Sequence, residues 1–500
     1  SMSKSRYAKV LLGPAVFLIL LLAPPLPLVS EAAALAKAPH PKAPQIALGG
    51  LFWVASWWVL EVAPLGLTGV LAAVLFSFLG YVSWGDALRS FTDPIIWIFM
   101  GGFALAKAFQ VWGLDRRAAL AVARLYRGRN PMLAAFFASS LPVFLLTVSG
   151  SITASTSVVY PITLSYIELL KLSPRLAEAM MLCLGEAATA GAMFLLVSTP
   201  PNLIAKQVLE QQVPGFKLTF FDWLIVGTPQ AIIGLLVTWL VVFAVIRPAE
   251  REIKAAEVVE REARTLTRMS KGEKLVLLIF LTTLLLWLTP GLLIIAASVD
   301  PGLSPAAELA TKLLPEAAPA ALAILLLGLL RAEGRPLLTF EEISRGIDWN
   351  VVFLFGGGLA MGKALEGGGF SRWLALLITN SGVELNTYTL SAIGAILGFA
   401  ITFPASNTAA AVVSTPLVAA IAKGAGINPV APVLATALAC SISSAIPSTT
   451  PPMAIIYGSG KVSMKNMFKA GIVADLLRLA ILILTLPFFA GLLLQLKAVP

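Results

Sequence analysis

The sequence predicts an all-α integral membrane protein with about eleven transmembrane helices, arranged as two inverted repeats that each hold a re-entrant helical hairpin and a broken helix. Three observations predict it: a composition too apolar for water, internal blocks repeating at nearly one offset, and polar clusters set inside apolar runs. Of 500 residues, 58% are hydrophobic and 12% charged, and mean hydropathy is +0.88. A soluble domain needs far more polar surface. The runs Val10–Val29, Gln45–Val59, Leu65–Val82, Trp223–Ile246, Leu275–Ala297 and Leu476–Leu496 mostly approach the ~20 residues that cross a ~30 Å hydrocarbon core. The first follows Lys4, Arg6 and Lys9 and reads as an uncleaved signal anchor.

The net charge of +10 does not indicate nucleic acid, because the basic residues are spread among short loops between apolar runs. Cys183 and Cys440 sit in apolar stretches and read as small hydrophobes. A single histidine, His40, gives no basis for a zinc or haem site, and no phosphate-binding loop supports ATP-driven work.

Self-similarity organises the rest. Asp93–Lys107 resembles Trp349–Lys363, with Lys107 and Lys363 offset by 256 residues. Thr147–Ala154 matches Thr402–Ala409 at an offset of 255, shared by Pro161 and Pro416. Ser198–Asn202 matches Thr449–Met453 at 251. The chain therefore divides into an anchor helix and outer loop (1–44), a first repeat (45–247), a charged connector (248–274) and a second repeat (275–500). Hairpins are expected at 132–167 and 388–422, and broken helices at 176–212 and 429–460. The connector, rich in alternating basic and acidic residues, reads as a solvated strap on the membrane surface.

Basic clusters at Lys4–Lys9, Arg116–Arg129, Lys171–Arg175, Arg247–Lys274, Arg331–Arg345 and Lys461–Lys469 share the cytoplasmic side only if both hairpins are re-entrant. One then opens inward and the other outward, with the N-terminus cytoplasmic and the C-terminus external. Inverted halves of that kind suit an alternating-access transporter in a cell membrane.

The hairpin tips are rich in hydroxyls: Thr147, Ser149, Ser151, Thr153 and Ser155–Ser157 in the first, Thr402, Ser406, Asn407 and Thr408 in the second. Non-helical backbone is tolerated at that depth only where protein buries it or a wet cavity meets it. The Thr199–Pro201 and Thr450–Pro452 breaks free carbonyls, because proline lacks the donor and clashes with the preceding turn. Helix N-termini suit an anion, and freed carbonyls with hydroxyls suit a hard cation such as sodium.

Ser406-Asn407-Thr408, the Thr-Pro-Pro breaks, Gly101-Gly102 and Gly356–Gly358 resemble the divalent anion/sodium symporter family over nearly the whole chain. No nucleophile–base pair or metal-ligand cluster appears within the apolar runs, so no enzymatic activity is expected. The resemblance implies a homodimer, an elevator-like mechanism, and sodium-coupled carriage of a dicarboxylate or sulfate. It also implies a first sodium site at Thr147, Ser151 and Ser198, and a second at Thr402, Ala405, Ser406, Asn407 and Thr449. Substrate contacts would fall to Thr153, Asn407, Thr408, Thr199 and Thr450, beside Ser151 and Ser406. Two positions depart from the pattern: Ile152 replaces the first asparagine, and Met453 stands where asparagine is common. A C4-dicarboxylate is the expected substrate; sodium-independent or proton-coupled exchange, or sulfate transport on the same fold, is the alternative. Glu186, roughly 18 Å along its span, is a candidate proton site, because an ionisable group at that depth is costly.

Overall fold

The computed structural model describes residues 3–498 and is built almost wholly of helices, with one two-residue strand pair at Arg331–Ala332 and Arg335–Pro336. Among the described residues, six helices are long and apolar enough to cross a membrane. A bent pair, Pro301–Leu313 with Ala317–Leu329, adds a seventh candidate. Other apolar helices are shorter, such as Leu65–Phe78, Thr387–Thr402 and Val430–Ala439. Many large apolar side chains stay exposed along the long helices, among them Leu278, Leu281, Leu285, Leu484 and Phe488. That is the surface a lipid-facing helix presents.

Two compact bodies are each assembled from distant stretches of chain. The first comprises Ser1–Ile96, Leu203–Leu218 and Asp348–Cys440; the second comprises Trp97–Asn202, Thr219–Ile347 and Ser441–Pro500. Within the first, helix Leu65–Phe78 runs along Trp349–Gly367. A Cβ at Gly357 would fall 2.4 Å from the Gly69 Cα, so only glycine allows the two backbones to meet there.

In the second body the connector is docked rather than merely solvated. Helix Ala255–Ala263 buries Ala255, Val258 and Val259, an apolar stripe beneath the charges that seats the strap instead of leaving it in solvent. Arg116 pairs with Glu262 at 3.1 Å, Arg117 with Glu273 at 2.5 Å and Arg127 with Glu260 at 2.5 Å. The partner helix, Leu114–Ala123, buries Leu114, Ala119, Leu120 and Ala123 and turns its arginines outward, as its amphipathic pattern predicts.

Around the polar segments the chain runs as α1 (Leu141–Leu146), α2 (Ile152–Leu169), α3 (Pro174–Gly191), α4 (Pro200–Gln212), α5 (Thr387–Thr402), α6 (Asn407–Gly424), α7 (Val430–Ala439), α8 (Pro451–Tyr457) and α9 (Met464–Ala498).

Candidate functional site

The first tip lies between α1 and α2. Thr147–Ser149 tighten into a 3₁₀ turn, and Gly150 takes φ +98°, a left-handed conformation that reverses the chain. Ser151 then caps α2, its hydroxyl accepting the Ala154 N–H at 3.0 Å. The N–H groups of Ile152 and Thr153 precede the first helical hydrogen bond and are available to an anion. The Thr147 hydroxyl lies 2.6 Å from the Phe144 carbonyl and 3.0 Å from the Gly191 carbonyl, where α3 ends.

A Cβ at residue 150 would also meet the Gly102 carbonyl at 3.2 Å. Gly150→Ala is therefore expected to cost about 1–2 kcal/mol, read as a lower melting temperature in detergent. An alanine protein that melts with the wild type would show that this turn carries no strain.

The second tip, in the first body, repeats the plan. Ser406 caps α6 by accepting the Ala409 N–H at 3.1 Å. The Thr402 hydroxyl sits 2.7 Å from the Asn407 Oδ1 and 2.7 Å from the carbonyl of Cys440, the residue that caps α7. Thr147 and Thr402 thus play one part: each joins a hairpin tip to the end of the helix that leads into a break. The second tip adds an amide oxygen, for which Ile152 has no counterpart. Two oxygens converge on the Thr402 hydroxyl, which makes a third, and that donor set fits a hard cation.

The two breaks are fastened differently. In the first, the Asn202 Nδ2 donates to the Ala192 and Leu195 carbonyls at 2.8 and 2.9 Å, strapping the turn between α3 and α4. Its Oδ1 is buried without a hydrogen-bond partner in the described structure. Ser198, buried nearby, accepts the Leu195 N–H at 3.1 Å. In the second break, Met453 cannot act as a strap. Asp475 of α9 does so instead: it accepts the Ser444 N–H at 3.0 Å and the Ser444 hydroxyl at 2.6 Å. The Thr449 hydroxyl donates to the Ile446 carbonyl at 2.8 Å, while the Thr450 hydroxyl is buried without a hydrogen-bond partner in the described structure.

Of the sequence-predicted residues, Thr147, Ser151, Thr153, Glu186, Ser198, Thr199, Thr449 and Thr450 belong to the second body. Thr402, Ala405, Ser406, Asn407 and Thr408 belong to the first. Thr147, Glu186, Ser198, Thr199, Thr402, Ala405, Thr449 and Thr450 are buried, whereas Thr153 is exposed. Sequence reasoning missed Asp475 and Arg478. Both are buried, with Asp475 one residue before the apolar run Leu476–Leu496 and Arg478 inside it. A pair of opposite charges three residues apart at the edge of such a run was the available signal.

Residues 5–496 match the family described as the sodium:sulfate symporter transmembrane region. The chain belongs to that family. Among similar proteins with assigned names is the sodium-dependent dicarboxylate transporter SdcS of Staphylococcus aureus. It is 29% identical over 460 residues, covering 86% of this chain and 83% of the relative, in strain USA300 and equally in strain NCTC 8325. The crystal structure of the Alcanivorax borkumensis YdaH transporter shares the fold, with a TM-score of 0.51 over 86% of this chain and 99% of that one, at 13% identity. These relatives are transporters, and the family membership and apolar helices make this chain a multi-pass membrane protein.

Proposed function

We propose that this family member is a secondary active transporter that carries a small divalent anion, a C4-dicarboxylate, across the membrane together with sodium. One observation carries the reading: two hairpin tips of one design, each presenting a serine-capped helix N-terminus to an anion beside a threonine hydroxyl and a helix-end carbonyl that suit a cation. The sodium-dependent dicarboxylate relatives support the choice of ion and substrate. Thr147, Ser151 and Ser198 would bind one sodium, and Thr402, Ala405, Ser406, Asn407 and Thr449 the other. Thr153, Thr199, Ser151, Ser406, Asn407, Thr408 and Thr450 would bind the substrate. An elevator movement of the tips and breaks, a homodimeric assembly, a plasma-membrane location with a cytoplasmic N-terminus, and two inverted repeats complete the proposal.

Thermal melting in detergent tests it. Succinate is expected to raise the melting temperature only when sodium is present, and to do so more than sulfate or citrate. If neither sodium nor any dicarboxylate shifts melting, the reading fails.

Ile152 favours a second reading, in which the first tip binds no cation and the chain exchanges dicarboxylates without sodium. Uptake of labelled succinate into vesicles preloaded with succinate in sodium-free buffer would establish it. Under the sodium reading, that uptake stays at the level of empty vesicles.

A further inference from the structure

Behind the second break lies a group of buried charges that the sodium and substrate sites do not use. Glu186 on α3 is 0% exposed, and neither carboxylate oxygen makes a well-formed hydrogen bond in the described structure, the Ser444 hydroxyl beside it being committed to Asp475. Asp475 and Arg478 on α9 are 0% and 3% exposed. They lie three residues apart, on one face of their helix. Arg478 reaches across to α3, donating to the Thr189 hydroxyl at 3.1 Å, and Thr189 shares the Glu186 face one turn on. All of these residues lie within the second body. Arg478 also borders a cavity of about 10 Å³ with Met193, Gln230 and Ile442, enough for one water molecule.

The charges do not balance. Two acids and one base leave a surplus negative charge in a dry interior. An unpaired buried ion costs several kcal/mol even after the structure relaxes. Asp475 is compensated: Arg478 lies beside it and Ser444 donates to it twice. Arg478 acts on both acids but cannot neutralise Asp475 and Glu186 together, so one positive charge must join Glu186.

A metal cation fits poorly there. Sodium-sized hard cations want about six oxygens, yet Asp475 already accepts two donors from Ser444 and the Arg478 guanidinium stands by. No group of three or more acidic, histidine or cysteine side chains able to hold a metal occurs among the described residues. Met453 and Ile456 of α8 pack against the neighbouring Gly185. A proton needs only a carboxylate oxygen and room for water nearby.

We propose that Glu186, Asp475 and Arg478 form a proton-binding site, in which one Glu186 oxygen binds a proton taken from water on one side of the membrane and returns it to water on the other. Arg478 and Asp475 are positioning residues that hold the local charge at one unit short of neutral. The inference rests on the transport reading above and adds a coupled ion to it. The charged groups acting on Glu186 are Asp475 and Arg478, with the Ser444 hydroxyl beside it and Cys183 one turn earlier on α3. Among the other elements packed on α3, helix Thr228–Ile246 and the first hairpin arm carry no titratable side chain. α8 brings Tyr457, and α2 brings Tyr160, Tyr166 and Glu168.

Two measurements decide the matter. The first is the infrared C=O band of a protonated carboxylic acid in the detergent-solubilised full chain. It is expected to be lost in Glu186→Gln. It is also expected to be lost in Asp475→Asn, where Glu186 becomes the sole acid beside Arg478 and gives up its proton to pair with it. Glu168 and the remaining carboxylates are unchanged in both proteins, so a band that persists in both overturns the site. This reading involves no succinate and stands apart from the choice of substrate. The second uses proteoliposomes holding a pH dye under an inward sodium gradient. Succinate uptake is expected to acidify the lumen in the wild type, and that acidification is expected to be lost in Glu186→Gln. Succinate uptake by the wild type with no movement of protons overturns the coupling.

Discussion

Arg478→Met is expected to destabilise the folded protein by about 3–5 kcal/mol, the usual cost of removing one partner from a buried ionic group. Arg478 is 3% exposed and stands beside Asp475, which is 0% exposed and fastens the second break through Ser444. Methionine keeps the length and apolar stem of the side chain but leaves the Asp475 charge uncompensated. The Asp475→Asn/Arg478→Met double variant removes both charges, while the asparagine carbonyl can still accept the Ser444 N–H and its NH2 can donate to the Ser444 hydroxyl. Most of the lost stability is therefore expected to return in the double variant, because replacing a buried pair together is far milder than breaking it. Melting of the three proteins in detergent checks this. If the double variant is as unstable as the single one, the effect belongs to packing and not to charge.

Asn407→Ala is expected to weaken apparent succinate affinity in proteoliposomes by about 10–100-fold, the range set by hydrogen bonds to charged groups. Its side chain joins the second tip to Thr402, at 2.7 Å, and it sits in the first turn of α6, whose open N–H groups would face the anion in the proposed site. The sodium dependence of succinate-induced melting is expected to shrink with it, since the same amide oxygen belongs to the proposed cation site. Thr402→Val tests the other end, because valine preserves shape and removes the contact to the Cys440 carbonyl. Thr147→Val is the counterpart in the first half. It is expected to have the smaller effect on succinate, since Ile152 provides no amide there for the hydroxyl to support. Equal losses at Thr147 and Thr402 would mean that the two tips contribute alike, in spite of Ile152.

Much of this was written in local sequence. Ser151 and Ser406 cap helices because their hydroxyls accept a backbone N–H three residues on, a local preference that spacing reveals. Thr-Pro-Pro places a helix start after each break for an equally local reason: a proline at the first helical turn loses no hydrogen bond. Other features depend on chain far away and could not be read this way. The π turn at Phe136–Ser140 leaves no mark except the proline that follows it, Pro142. Asp475 gains meaning only when Ser444 arrives from 31 residues earlier. The connector looked solvated because its charges outnumber its apolar side chains, yet Val258 and Val259 are enough to seat it once arginines on helix Leu114–Ala123 face its glutamates. The compact bodies draw on three separated stretches each, which no running composition profile exposes.

The unequal fastening of the two breaks separates what each half owes to its surroundings. Asn202 ties its turn to carbonyls within ten residues, so the first break carries its own polar strap, with Trp223 and Thr228 adding bonds to the Met193 and Phe194 carbonyls. The second is referenced to a helix that begins at Met464 and ends at Ala498. Anything that shifts or rotates that helix along its axis, including the thickness of the host membrane, reaches Ser444 before it reaches a ligand. Lineages that change lipid or temperature can therefore retune this half by drift in a terminal helix, leaving every oxygen of the proposed ion sites in the tips untouched.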